Sequence, residues 1–262
     1  MIVEVLAIGT ELLLGQIVNS NATRIGERLA DAGLDHFQQT VVGDNEARIA
    51  AAITDACSRA DALIITGGLG PTKDDLTREA MAEAAGVDMI FDADQEDQLR
   101  ERWTRSGRVM PESNLQQAER PKGCVLIENP KGTAPGIRCE IDDTWVFALP
   151  GVPAEMIPML ENSVIPFLRG DDDATVVSRL LRTWGESESA IGERLGDLYD
   201  ASTNPTIAFL ASGGEIKIRI TAKAASRDEA TALIAPVEAT VRDRLGKRIF
   251  GVDDDTVEVV VL

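Results

Sequence analysis

Short apolar runs alternate with amphipathic stretches through the first two thirds of the chain. Residues 2–8 form a β-type run closed by Gly9, and residues 19–32 then carry Ala22, Ile25, Leu29 and Ala32 at helical spacing, closed by Gly33. The cycle repeats as a strand over 36–42, a helix over 46–59 with Ile49, Ile53, Ala56 and Cys57 on one face, and a strand over 61–66 that runs into glycines. Strands alternating with helices in this way predict a parallel sheet covered on both faces, with function in loops at the carboxyl ends of the strands.

A helix over 76–86 follows, then a strongly polar helix over 94–105 that reads as a surface excursion anchored by Leu99 and Trp103. A strand over 124–128, a hairpin of 137–141 with 145–149 around Asp142 and Asp143, and a helix over 153–168 interrupted near Pro158 complete this part. The charged stretch 170–173 is the natural boundary. Beyond it a strand over 175–184, a helix over 187–199, a hairpin of 206–211 with 215–221 about Ser212, Gly213 and Gly214, and a long helix over 226–245 describe a small α+β layer. The expected organisation is an α/β domain over 1–170, mainly parallel in its sheet, and a smaller α+β domain over 171–262.

Charge narrows the classes of partner. The 262 residues hold 44 acids against 26 bases, a net charge of -18, which repels phosphate backbones and anionic membrane surfaces. Nucleic acid and membrane are therefore not the expected partners. With 20 Arg and only 6 Lys beside so many carboxylates, the surface reads as one kept hydrated in concentrated salt, or as ordinary acidity serving solubility. No apolar run approaches the ~18 to 20 residues that span a bilayer, and the first residues carry Glu4 where a signal peptide needs bases, so a soluble, cytoplasmic protein is expected. Cys57, Cys124 and Cys139 are odd in number and lack CxxC spacing, which predicts buried thiols rather than disulfides or zinc ligands. The single histidine, His36, reads as a strand-end residue, leaving any catalysis to carboxylates, backbone amides, Lys or Arg.

The strongest local signal is Thr66-Gly-Gly-Leu-Gly-Pro-Thr-Lys-Asp-Asp-Leu-Thr77, between a buried strand and a helix. Gly67, Gly68 and Gly70 let backbone approach a ligand around Leu69 and Pro71, and Thr72 to Thr77 add amides and hydroxyls at a helix N-terminus, an anion cradle that matches neither the Walker A nor the GxGxxG order. Carboxylates beside a phosphate make sense with a divalent cation between them. Asp75 is the candidate metal or water ligand, Asp74 the candidate helix cap or a supporting group behind that ligand at the substrate site, and Lys73 either pairs with a phosphate or is solvated. Asp44, ending the second strand, lies on the same edge of the sheet or caps the helix from Glu46. The loops carrying Gly9, Thr10 and Glu11 and, later, Gly132, Thr133, Ala134, Pro135 and Gly136 also follow strands, so one rim and one pocket are expected.

Together, Ile8-Gly-Thr-Glu-Leu-Leu13, Val42-Gly-Asp44, the Thr66 to Thr77 motif, Asn129-x-x-Gly-Thr-Ala-Pro-Gly136 and Pro150-Gly-Val-Pro-x-Glu-Met156 resemble the competence/damage-inducible protein A (CinA) family, in order, over residues 1 to about 170. Gly185-Glu-Ser-Glu-Ser189 and the following hairpin look like that family's KH-type module. The resemblance implies a molybdopterin-binding-type first domain and ADP-ribose pyrophosphatase activity that uses a divalent metal (Mg, Mn or Co) and is helped by potassium (K). It places Asp44 and Asp75 on the two aspartates that relatives use at the reacting phosphate, and makes a homo-oligomer the expected assembly. The nicotinamide mononucleotide deamidase domain of many members is not expected in a chain ending at Leu262, and 17 acids against 11 bases over 171–262 argue against RNA binding by the second module. The leading expectation is hydrolysis of ADP-ribose to AMP and ribose 5-phosphate. The alternatives are nucleotidyl transfer or molybdate insertion on molybdopterin through the same cradle, and non-catalytic nucleotide sensing.

Overall fold

In the computed structural model, which describes residues 1–170, 175–212 and 214–255, the chain divides into two compact units, Met1–Ala30 with Leu34–Gly170 and Asp31–Gly33 with Asp171–Leu262. The expected boundary at 170–173 lies, apart from Gly170, outside the described residues, as does Gly213 of the expected hairpin turn.

The first unit begins with β1 (Val3–Ile8), α1 (Thr10–Leu13), α2 (Ser20–Asp31), β2 (Gln39–Val42), α3 (Glu46–Cys57), β3 (Ala62–Thr66) and α4 (Thr77–Ala85). Alternation along the strands sorts side chains into two apolar layers. Leu6, Ile8, Leu63 and Ile65 pack with Ile49, Ile53 and Met81 on one face, while Val3, Val5, Ala62 and Ile64 pack with Ile25, Leu29 and Phe147 on the other. Each fully buried Val, Leu, Ile, Met or Phe side chain among them contributes roughly 2 kcal/mol relative to exposure. Glu4, inside this strand, is buried and takes a forked pair of hydrogen bonds from Arg59 at 2.6 and 2.7 Å.

The polar stretch expected at the surface is more structured than its pattern suggests. β4 (Met89–Phe91) leads into α5 (Ala93–Arg105), capped by Asp92, and a 3₁₀ segment, Glu112–Ala118, returns the chain to β5 (Glu119–Pro121), which pairs antiparallel with β4. Leu99 is the buried anchor of α5. β6 (Val125–Ile127), β7 (Gly136–Ile141) and β8 (Thr144–Leu149) follow, with Asp142 and Asp143 both in the left-handed region as a two-residue hairpin turn requires. The sheet order is β2-β1-β3-β8-β7-β6, parallel from β2 to β8 and antiparallel beyond. The final helix is broken as expected, though later. α6 (Pro153–Met159) passes through a π-type turn, Leu160–Val164, into α7 (Ile165–Arg169), just ahead of Pro166, whose ring nitrogen cannot close a helical hydrogen bond.

In the second unit, β9 (Thr175–Trp184), α8 (Glu188–Ala201), β10 (Thr206–Ser212), β11 (Glu215–Ala224), α9 (Arg227–Leu245) and β12 (Ile249–Val252) form an antiparallel sheet in the order β10-β11-β9-β12. Ile216, Ile218, Ile220 and Ala222 of β11 alternate into a core with Leu195, Ile234, Val241 and Leu245 from the two helices. Strand β12 escapes the sequence pattern because four residues including a glycine show no periodicity. Cys57, Cys124 and Cys139 are buried free thiols in the first unit's core, and burial pushes the Cys57 thiol up to about 11. Among the described residues no helix is long and apolar enough to cross a membrane.

Candidate functional site

The parallel strands β1, β2, β3 and β8 end on one rim of the first sheet, and the turn between β6 and β7 opens on the same rim because β7 runs antiparallel to β8. These loops enclose a cavity of about 400 Å³. Of the residues expected to bind ligand, Gly9 and Glu11 line it from the first loop, Asp44 from the second, Gly67, Gly68, Leu69, Gly70, Pro71, Asp74 and Asp75 from the third, and Thr133 and Ala134 from the β6–β7 turn.

Local hydrogen bonding explains how the glycine loop presents itself. Thr77 is fully buried; its hydroxyl donates to the Gly67 carbonyl at 2.8 Å and its amide to the Gly68 carbonyl at 3.1 Å. A trans peptide points its N–H opposite its C=O, so pulling these two carbonyls back aims the amides of Gly68 and Leu69 the other way. Among the described residues neither amide has a protein acceptor. Gly67 must be glycine, since its φ is 104° and a Cβ there would stand 2.3 Å from the Ile8 carbonyl oxygen. The expectation that Thr77 touches ligand is thus corrected: it holds the loop from behind.

The aspartates also serve the loop. One oxygen of Asp75 accepts from the Gly70 amide at 2.8 Å; the other accepts from the Thr72 amide at 2.8 Å and the Thr72 hydroxyl at 2.5 Å. Asp74 is exposed. Neither caps α4, whose N-cap position is Leu76, which corrects the capping expectation for Asp74. Asp44 accepts from the Thr10 amide at 2.8 Å and returns its own amide to the Thr10 hydroxyl at 3.2 Å, tying the first loop to the second. Asn45, not Asp44, caps α3. Asp44 and Asp75 both face the cavity, yet among the described residues no three His, Cys, Asp or Glu side chains are grouped so as to hold a metal ion.

Thr10, Thr72 and Lys73 are exposed and outside the cavity lining. Gly132 and Pro135 line a neighbouring cleft of about 490 Å³ along α5, which meets the main cavity at Thr133. Gly136 is buried at the start of β7, against Met159 and the Ala148 carbonyl, a correction to its expected place at the ligand. His36 sits at the foot of the sheet, its Nδ1 2.8 Å from the Val3 carbonyl, and does not line the cavity.

Several residues were not expected at the cavity, although Asn129 and Glu155 stand in the quoted motifs. Gln117 lines the cavity, and the neighbouring Gln116 amide donates to the Gly70 and Thr72 carbonyls at 3.0 and 3.1 Å. Glu155, in the first turn of α6, closes the far wall, where the Asn129 amide donates to it at 2.7 Å and to the Ala134 carbonyl at 2.8 Å. Behind the cavity the Asn21 amide donates to the Thr66 hydroxyl at 2.9 Å and to the Gly151 carbonyl at 2.7 Å. Beneath the glycine loop Arg78 is 2% exposed, its guanidinium donating to the Leu69 and Gly70 carbonyls at 2.8 and 3.0 Å. Burial holds the Arg78 guanidinium below the ordinary arginine range.

This arrangement of loops can be set beside known proteins. Residues 4–170 match the family described as "Probable molybdopterin binding domain", and residues 178–251 match "Damage-inducible protein CinA KH domain". The solved structure of the protein CinA of unknown function from Thermoplasma acidophilum is 36% identical, with a TM-score of 0.58, and the match covers 62% of this chain and 94% of that one. The chain belongs to the CinA family. A CinA-like protein of Frankia casuarinae is 50% identical over 269 residues, and one of Synechococcus sp. is 45% identical over 261. These matches cover 99% and 98% of this chain and 62% of each relative, so the chain spans about three fifths of the length of the curated relatives it matches. Both units thus have CinA counterparts, the first carrying the cavity.

Proposed function

We propose that the rim cavity of the first unit binds a small molecule through its phosphate, with a molybdopterin-type pterin phosphate as the ligand class. The observation that carries this reading is the glycine loop, whose Gly68 and Leu69 amides lack protein acceptors among the described residues and whose residues line a cavity of about 400 Å³. The loop amides would take the phosphate oxygens. The carboxylates of Glu11, Asp74 and Glu155, which also line the cavity, would accept hydrogen bonds from the amino and ring N–H groups that a pterin offers. The family description of the first unit supports the same ligand class.

A second reading is hydrolysis of a nucleotide pyrophosphate, ADP-ribose and water giving AMP and ribose 5-phosphate. It is favoured by Asp44 and Asp75 facing a phosphate cradle together. A divalent ion (Mg, Mn or Co) bound with such a substrate would offset the repulsion between carboxylates and phosphate, with Asp44 and Asp75 as the residues that would hold it. The two readings separate in one experiment on the purified chain in high potassium chloride: titration with molybdopterin, and release of AMP from ADP-ribose with and without each metal. Micromolar pterin binding without AMP supports the first reading. Metal-dependent AMP that Asp75→Asn abolishes supports the second, and neither binding nor turnover by the folded protein overturns both.

A further inference from the structure

A buried positive charge beneath the glycine loop remains unused by either reading. Arg78 belongs to the first turn of α4, is 2% exposed, and forks onto the carbonyls of Leu69 and Gly70. Its Nε is buried without a hydrogen-bond partner among the described residues. Asp75, Glu79 and Glu119 lie within electrostatic range, yet none forms an ion pair with it among the described residues. Burying a guanidinium without a carboxylate is costly, and two carbonyl dipoles compensate only part of that cost. An ordinary structural arginine in an interior this acidic would take one of the neighbouring carboxylates as a partner. Arg78 instead faces the underside of the loop whose upper side bounds the cavity.

We propose that Arg78 is a positioning residue for bound phosphate: its charge acts through the glycine loop as the permanent counter-charge of an anion in the cavity. The proposal rests on the phosphate-cradle reading and adds the source of its positive potential. Lys73, the basic side chain of the same loop, is exposed, so salt screens it, whereas the field of a buried guanidinium is screened little. The cavity wall is otherwise acidic, through Glu11, Asp44, Asp74, Asp75 and Glu155, so a fixed cation beneath the loop lowers the repulsion that an entering anion meets.

The test is calorimetric titration of the full chain with inorganic pyrophosphate at constant magnesium, for the wild type, Arg78→Met and Arg78→Lys, with folding checked by circular dichroism. Removal of the charge should weaken pyrophosphate binding at least about tenfold, while Arg78→Lys, which keeps a charge but loses the planar guanidinium fork, stays within about threefold of the wild type. Equal losses in the two variants would mean that Arg78 merely scaffolds the loop, and unchanged binding in Arg78→Met would make it irrelevant; either overturns the proposal. Should Arg78→Met fail to fold, the wild type decides: affinity should change less than about threefold between about 0.1 and about 1 M sodium chloride, and a steep fall would assign the potential to screened surface charge. A wild type that binds no pyrophosphate under any of these conditions overturns the cradle reading itself.

Discussion

Replacing Gly67 by alanine tests whether the loop is held where the hydrogen bonds place it. The residue has φ 104°, outside the range an L side chain adopts comfortably, which costs about 2 kcal/mol. A Cβ there would also stand 2.3 Å from the Ile8 carbonyl oxygen, a backbone atom of a buried strand that cannot rotate aside. Relieving that overlap costs about another 2 kcal/mol, the usual scale of overpacking. A total of about 4 kcal/mol lowers the melting temperature of a domain this size by roughly 10 °C. Gly86, the left-handed C-cap of α4, is the internal control, since its φ is 63° and a Cβ there meets nothing within 4 Å. Gly86→Ala then bears only the backbone strain, about 1 kcal/mol and roughly 3 °C. Thermal unfolding followed by circular dichroism, with urea titrations to check that the m-value is unchanged, measures both. Equal shifts in the two variants, or a Gly67→Ala protein melting with the wild type, would refute the close approach of β1 and the loop.

Thr77→Val removes the buried hydroxyl that holds the Gly67 carbonyl while keeping the side chain's volume, so stability should fall by about 1 to 3 kcal/mol in urea titrations and pyrophosphate affinity should fall with it. Asp92 accepts from Arg120 and from the Gln95 amide, and the Arg120 bond leads in holding its carboxyl below 3.8. A depressed carboxylate pKa stabilises the fold in full above the unfolded value and loses that contribution as pH falls through the folded one; hence acid unfolding of Asp92→Asn, scanned downward from pH 3.8, should be shallower than that of the wild type. With a net charge of -18, self-repulsion should be relieved by salt, and the melting temperature should rise between low and molar potassium chloride; a flat response would show that the acidity does not burden the fold.

The alternation of Val3, Val5 and Ala7 with Leu6 and Ile8, and the helical spacing of Ile49 and Ile53, made the parallel sheet and its rim readable, because two-faced burial leaves an apolar signature in β1, β3 and β8. The hairpin at Asp142 and Asp143 was readable for a different reason, the tolerance of aspartate for left-handed backbone. What did not show was the partner of each polar group. Asp75 and Thr77 are two residues apart in one motif, yet both turn back onto the loop, since satisfying buried amides and carbonyls there outweighs exposing the side chains. Arg78 and Asn129 carry polar side chains that no apolar pattern assigns to the interior, and Glu155 gains its place only once α6 docks beside the β6–β7 turn. Strands β4 and β5 are three residues each, too short for any period to register.

The cavity loops are bound to the scaffold by side chains that reach across elements: Asn21 to Gly151, Thr77 to Gly67, Gln116 to Gly70 and Asn129 to Ala134. A ligand entering such a site has little backbone left to order, so association resembles a key meeting a finished lock, with affinity limited by complementarity more than by loop entropy. Recognition is then inherited from folding, and a substitution far from the rim that loosens these ties should raise the dissociation rate before it visibly lowers the melting temperature.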